Sequence, residues 1–241
     1  MSKIVFGVSV VAATIWFFCS RKQVSSRYST PLPPYSPPRV LITGVGRSGT
    51  TGLNRAFHSA NFKTKHEQHG VEMSVGWVFA RYQEYPLDDG FDNQWHNYNN
   101  RHYYERFDVN IQLVRHPLKT ISSWTSLQRN PSRNYVVHMT PELTHDMSTV
   151  HMAMAHWYDW NSRIGEYADK RWNIETVDIQ NECLLLWVGD IRCHSVRLEP
   201  SLRINTRKHK NYSWNDLKMI DEPLTLKIQT MCTRYGYSDC T

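Results

Sequence analysis

The order of apolar and polar positions divides the 241-residue chain near residue 40. From there Val40-Leu41-Ile42-Thr43-Gly44-Val45 is a short apolar run of the kind that forms a buried central strand. Glycines follow, and Thr50 to Ala60 is compatible with a helix. The same pairing recurs at Val109-Asn110-Ile111-Gln112-Leu113-Val114, followed by a helix-compatible stretch from Leu118 to Leu127. Strands alternating with helices predict an α/β fold with a central parallel sheet flanked by helices. Between Pro141 and Lys170, apolar residues recur in steps of three and four at Leu143, Met147, Val150, Met154, Trp157, Trp160, Ile164 and Tyr167. That period predicts one long amphipathic helix, and its Met and Trp stripe is expected to be core. No internal repeat is found.

Upstream of residue 40 the pattern changes. Ile4 to Cys19 holds no charged residue, and Arg21 and Lys22 close it. Its 16 residues fall just short of the roughly 17–25 of a spanning helix, a length suited to the thinner membranes of the early secretory pathway. Residues 1–22 are therefore expected to be a signal-anchor. A cleaved signal peptide is the alternative, although a cut after Ser20 would place bulky Phe18 where a small residue is wanted. Residues 23–39, rich in Ser and Pro, read as an extended stem, and 40–241 as the folded domain. Arg21, Lys22 and Arg27 outnumber Lys3, which by charge alone favours a cytoplasmic C-terminal side.

The formal charge of +6 favours anionic partners without choosing among them, and no run of like charges marks a nucleic-acid tail. No nucleic-acid partner is expected. Beyond the anchor stand Cys183, Cys193, Cys232 and Cys240, an even set that permits two disulfides in a lumenal domain. The local pairs Cys183–Cys193 and Cys232–Cys240 are the expectation, with free buried thiols as the alternative. A glycosylation triplet at Asn211-Tyr212-Ser213 agrees with a lumenal placement.

The chemistry begins at Gly44-Val45-Gly46-Arg47-Ser48-Gly49-Thr50-Thr51, between a predicted strand and a predicted helix. Glycines let the backbone turn its N–H groups inward, and the helix N-terminus adds positive charge toward an anion. Thr50 stands where a nucleoside triphosphatase needs lysine, which disfavours that class. Thr50 also lies where a serine-hydrolase elbow needs glycine. The loop carries instead Arg47, a planar cation able to grip two oxygens of a phosphate or sulfate.

The run Leu41 to Leu53 resembles the 5′-phosphosulfate loop of the sulfotransferase family, in the arginine form seen in Golgi carbohydrate sulfotransferases. Val114-Arg115-His116-Pro117-Leu118-Lys119-Thr120-Ile121-Ser122-Ser123 resembles the family's 3′-phosphate element, an arginine at a strand end and a serine eight residues later. The two motifs in this order are more specific than either alone. The resemblance implies that 3′-phosphoadenosine 5′-phosphosulfate is the co-substrate. Arg47, Ser48, Gly49, Thr50 and Thr51 would hold its 5′-phosphosulfate, and Arg115 and Ser123 its 3′-phosphate. Weaker similarities extend it: Trp157 to Asn161 to the mid-domain helix, Trp172 to Val177 to a strand carrying a glutamate, and Arg203 to Lys208 to a basic late loop, with Arg203 and Arg207 on the nucleotide.

Sulfuryl transfer needs in-line placement of the acceptor, stabilisation of charge on the moving group, and a base. Arg47 and the loop N–H groups would supply the second. For the base, Lys65-His66-Glu67-Gln68-His69-Gly70 offers Glu67 first, His66 second and His69 third, at the end of the expected second strand. Gly70 occupies the last histidine position of a zinc-protease motif, and no other close His/Cys set is apparent, so no catalytic metal is expected. Pro86 to Asp108, crowded with Asn, Asp, His, Tyr and Trp95, is either an acceptor site for a sugar or an irregular surface loop. The expected function is a sulfotransferase acting on a glycan, held in the Golgi membrane with a lumenal catalytic domain. An atypical P-loop kinase and an inactive nucleotide-binding relative are the alternatives.

Overall fold

In the computed structural model, the residues described are 37–68, 70–78, 107–127, 134–137, 140, 143, 144, 146–198 and 208–241. The expected anchor, most of the stem, His69, Arg203, Arg207 and nearly all of the expected acceptor loop lie outside them. No described helix is long and apolar enough to cross a membrane.

Five parallel strands form one sheet: β1 (Val40–Gly44), β2 (Thr64–His66), β3 (Met73–Gly76), β4 (Val109–Val114) and β5 (Lys170–Asn173), in the order β2-β3-β1-β4-β5. β1 is buried along its whole length, as its unbroken apolar run requires of a central strand covered on both faces. The alternation of side chains sorts the core into two layers. Val40, Ile42, Ile111 and Leu113 pack with Leu53 and Phe57 of α1 (Thr50–Ser59) and with Trp187. Leu41 and Val114 face the opposite layer, with Trp124 of α2 (Pro117–Trp124) and Trp157, Trp160 and Ile164 of α3 (Thr149–Tyr167). The sheet is thus flanked by helices, as the alternating pattern predicts.

The long helix is shorter than its apolar period implies. Ser148 is extended (φ −60°, ψ 145°) and its side chain accepts the backbone N–H of His151, so it caps α3. Leu143 and Met147 therefore precede the helix, while Leu143 still joins the core. β5 also differs from expectation: it spans Lys170–Asn173, and Glu175 lies in the turn beyond it. Both expected disulfides, Cys183–Cys193 and Cys232–Cys240, are present. The first closes α4 (Ile179–Leu186) onto a short 3-10 turn at Ile191–Ser195. The second joins α6 (Glu222–Arg234) to the C-terminal residues, beside the short α5 (Trp214–Lys218).

Candidate functional site

Because every strand is parallel, the segments that leave the strand ends gather along one edge of the sheet. The loop at Val45–Gly49 leaves β1, Glu67 leaves β2, Trp77 leaves β3, Arg115 leaves β4 and Glu175 follows β5. The chain's connections turn to opposite sides of β1, so β1 and β4 flank the topological switch point where open α/β sheets bind ligands.

The loop depends on close backbone approach at Gly44, where a Cβ would fall 2.3 Å from the Leu113 carbonyl oxygen and 2.6 Å from Ser48 Oγ. Gly49 caps α1 at φ 102°, and Arg47 is also left-handed at φ 76°, a conformation uncommon outside glycine. No side chain caps the first turn of α1. Ser48 Oγ is buried and has no hydrogen-bond partner in the structure, an arrangement that costs free energy unless a ligand or water completes it.

Arg47 Nε donates to Ser123 Oγ at 2.9 Å, and Arg115 NH1 donates to the Arg47 carbonyl oxygen at 3.0 Å. The two motifs are thereby joined through three of the residues expected to hold the nucleotide. The Arg115 carbonyl in turn accepts Trp157 Nε1–H at 3.4 Å, which ties the strand end to α3. The resulting corner holds two guanidiniums, a buried serine hydroxyl and a helix start, a donor set suited to dense anions.

No family model matches the chain, and comparison with the curated proteins and with the solved structures finds no match.

His66 and Glu67 form a second corner next to the loop. His66 Nε2 lies 3.3 Å from both Thr50 Oγ1 and Thr51 Oγ1, and 3.7 Å from Glu67 Oε1. His66 thus meets the loop's threonine hydroxyls and the Glu67 carboxyl through the same nitrogen. Glu67 is left-handed at φ 53°. Burial pushes its carboxyl up to about 7, opposed by a hydrogen bond from Trp77. Burial, helped by Arg55, lowers His66 to about 4, so its imidazole is neutral at physiological pH.

Two parts of this edge carry no local sequence signal. Trp77 follows β3, a strand of four residues too short to stand out from its surroundings. Tyr237 and Asp239 come from the chain's end: Tyr237 O–H donates to Glu175 Oε2 at 2.7 Å, and Asp239 Oδ1 lies 3.1 Å from His116 Nε2. Glu175 Oε1 lies 3.4 Å from Lys119 Nζ and 3.9 Å from Arg115 Nε. His116, Cys232 and Cys240 bring ligand-type atoms within 4.8 Å of one another, but the two sulfurs are bonded to each other and offer no thiolate for a metal.

Proposed function

We propose that this chain is a sulfotransferase that moves a sulfuryl group from 3′-phosphoadenosine 5′-phosphosulfate to an acceptor hydroxyl or amine, with a carbohydrate as the acceptor class. The observation that carries the reading is the junction of Arg47, Arg115 and Ser123 at the switch point of the sheet. A nucleotide with phosphate groups at both ends of its ribose needs two adjoining anion sites, and this corner supplies them from two motifs distant in sequence.

In the reaction, the acceptor oxygen attacks sulfur and the bond between sulfur and the bridging phosphate oxygen breaks. The electron pair stays on 3′-phosphoadenosine 5′-phosphate. Arg47 and the N–H groups at the start of α1 stabilise charge on the sulfuryl oxygens and the leaving phosphate. The acceptor's proton goes to Glu67, whose value near 7 suits a base at neutral pH better than that of His66, near 4. His66 bridges Glu67 to the threonine hydroxyls of the loop. A lumenal, oxidising setting is supported by the two disulfides, which persist in such compartments, and by exposure of Asn211 in its glycosylation triplet; the Golgi membrane is proposed from the sequence resemblance and the apolar N-terminal segment alone.

The test is calorimetric titration of the full chain in detergent with 3′-phosphoadenosine 5′-phosphate, wild type against Arg115→Ala. Micromolar wild-type binding that weakens by about a hundredfold in the variant is the expected result, the scale of losing two charge-assisted hydrogen bonds. Folded wild-type protein that does not bind the nucleotide would end the sulfotransferase reading. Transfer that continues in EDTA separates this chemistry from phosphoryl transfer, which normally leans on magnesium.

A further inference from the structure

After α6 the chain turns back, and Cys240 closes on Cys232 to make a hook. The hook lies on the turns that follow β4 and β5. The Tyr237 ring meets the His116 ring edge-on at 5.0 Å, and its hydroxyl is 2.7 Å from Glu175 Oε2 and 2.9 Å from Asn173 Oδ1. Asp239 anchors the far end, with Oδ1 3.1 Å from His116 Nε2 and its carbonyl accepting Trp214 Nε1–H at 2.9 Å. Burial and the neighbouring carboxylate push the Tyr237 hydroxyl far up, so it stays a proton donor.

Glu175 is awkward in this place. A carboxylate beside an arginine meant for phosphate is a built-in competitor, because carboxylate and guanidinium pair readily through two parallel hydrogen bonds. Here that pairing is not made: the guanidinium comes no nearer to Glu175 Oε1 than Arg115 Nε at 3.9 Å, that oxygen lies 3.4 Å from both Lys119 Nζ and the His116 backbone nitrogen, and Arg115 NH1 is turned to the Arg47 carbonyl. Its other oxygen, Oε2, is held by Tyr237.

We propose that Tyr237 is a positioning residue for the nucleotide site: it restrains Glu175 from collapsing onto Arg115, and the Cys232–Cys240 disulfide keeps it in place to do so. The proposal deepens the sulfotransferase reading and rests on it. Without the tyrosine hydroxyl, Glu175 rotates into a two-bond pair with Arg115 and competes with the 3′-phosphate. The 5′ side of the site is untouched.

The experiment is titration of the full chain with two probes, 3′-phosphoadenosine 5′-phosphate and adenosine 5′-phosphosulfate, which lacks the 3′-phosphate. Tyr237→Phe is expected to weaken the first by about tenfold and leave the second unchanged. Adding Glu175→Gln to Tyr237→Phe is expected to restore the first to the wild-type level, because the competing charge is gone. Replacing Cys232 and Cys240 by serine together is expected to copy Tyr237→Phe and to be rescued in the same way. Wild-type affinity in Tyr237→Phe overturns the proposal, as does equal weakening of both probes or a failure of Glu175→Gln to rescue. A wild-type chain that binds neither probe overturns the nucleotide reading itself and this proposal with it.

Discussion

Along the edge where the strands begin, charged groups meet partners of opposite sign. Arg39 lies on Asp108, and Arg192 lies on Asp190 and, through both terminal nitrogens, on Glu72, with its guanidinium 4.1 Å above the Phe62 ring. Along the edge where they end, Arg47 and Glu67 hold left-handed backbones, Ser48 Oγ is buried without a partner, and Glu67 and His66 are pushed in opposite directions by burial. Each edge also has its disulfide, Cys183–Cys193 beside Arg192 and Cys232–Cys240 beside His116. At the first edge the charged groups are paired with one another and act on stability, although Asn61 is left-handed at φ 64° and Asn110 Oδ1 is buried without a partner. The second carries strain and unmet hydrogen bonding, the costs that functional sites tolerate.

The largest effect expected from breaking the second edge is on turnover. Glu67→Gln keeps the shape and removes the proposed base, and kcat of the proposed transfer should fall by about a thousandfold. In the wild type, kcat should rise with pH as the Glu67 carboxyl loses its proton, through about 7. That rise should vanish in Glu67→Gln and persist in His66→Asn. If the histidine variant loses the rise and the glutamine variant keeps it, the roles of the two residues are reversed.

At the first edge, Arg192→Ala leaves Glu72 half-enclosed without its cation. A loss of about 2 kcal/mol in unfolding free energy follows, seen as a lower urea midpoint, while nucleotide affinity stays at the wild-type value. Weakened nucleotide binding in this variant would mean that the two edges are not separable.

How much of this was legible in the sequence follows the range of each signal. β1, α1, β4 and α2 were legible because an apolar run ending in glycine or arginine and followed by a helix start is a local pattern. Arg47 was singled out in the loop that follows β1, and Arg115 and Ser123 by the resemblance of their segment to a known nucleotide-binding element. That His66 meets the loop's threonine hydroxyls was not legible, since it depends on β3 lying between β2 and β1. Tyr237 was invisible, because its partner Glu175 is 62 residues away and no spacing links them. α6 could have been found from Asp221, whose side chain caps it, with Pro223 in its first turn. The true start of α3 was written in Ser148, but the apolar period ran past the cap through Met147 and Leu143, which join the core without being helical.

A further expected effect isolates the second edge from the whole by its pH dependence. Glu67 rises from 4.5 to about 7 on folding, so between those values the folded chain holds a proton the unfolded chain has released. Its contribution is complete below 4.5 and is lost as pH climbs through 7. His66 falls from 6.5 to about 4, so the unfolded chain takes up a proton the folded chain lacks. That contribution is present above 6.5 and is lost as pH falls through 4. Between 4.5 and 6.5 the two oppose each other, and their sum is nearly flat. Against the wild type, whose other titrating groups such as His116 are shared, urea midpoints taken across this window should therefore tilt upward with pH in Glu67→Gln and downward with pH in His66→Asn. Each tilt is limited to about 1.4 kcal/mol per pH unit. Tilts of the same sign relative to the wild type in both variants would show that the pair does not titrate as its burial implies, and would remove the reason for preferring Glu67 as the base.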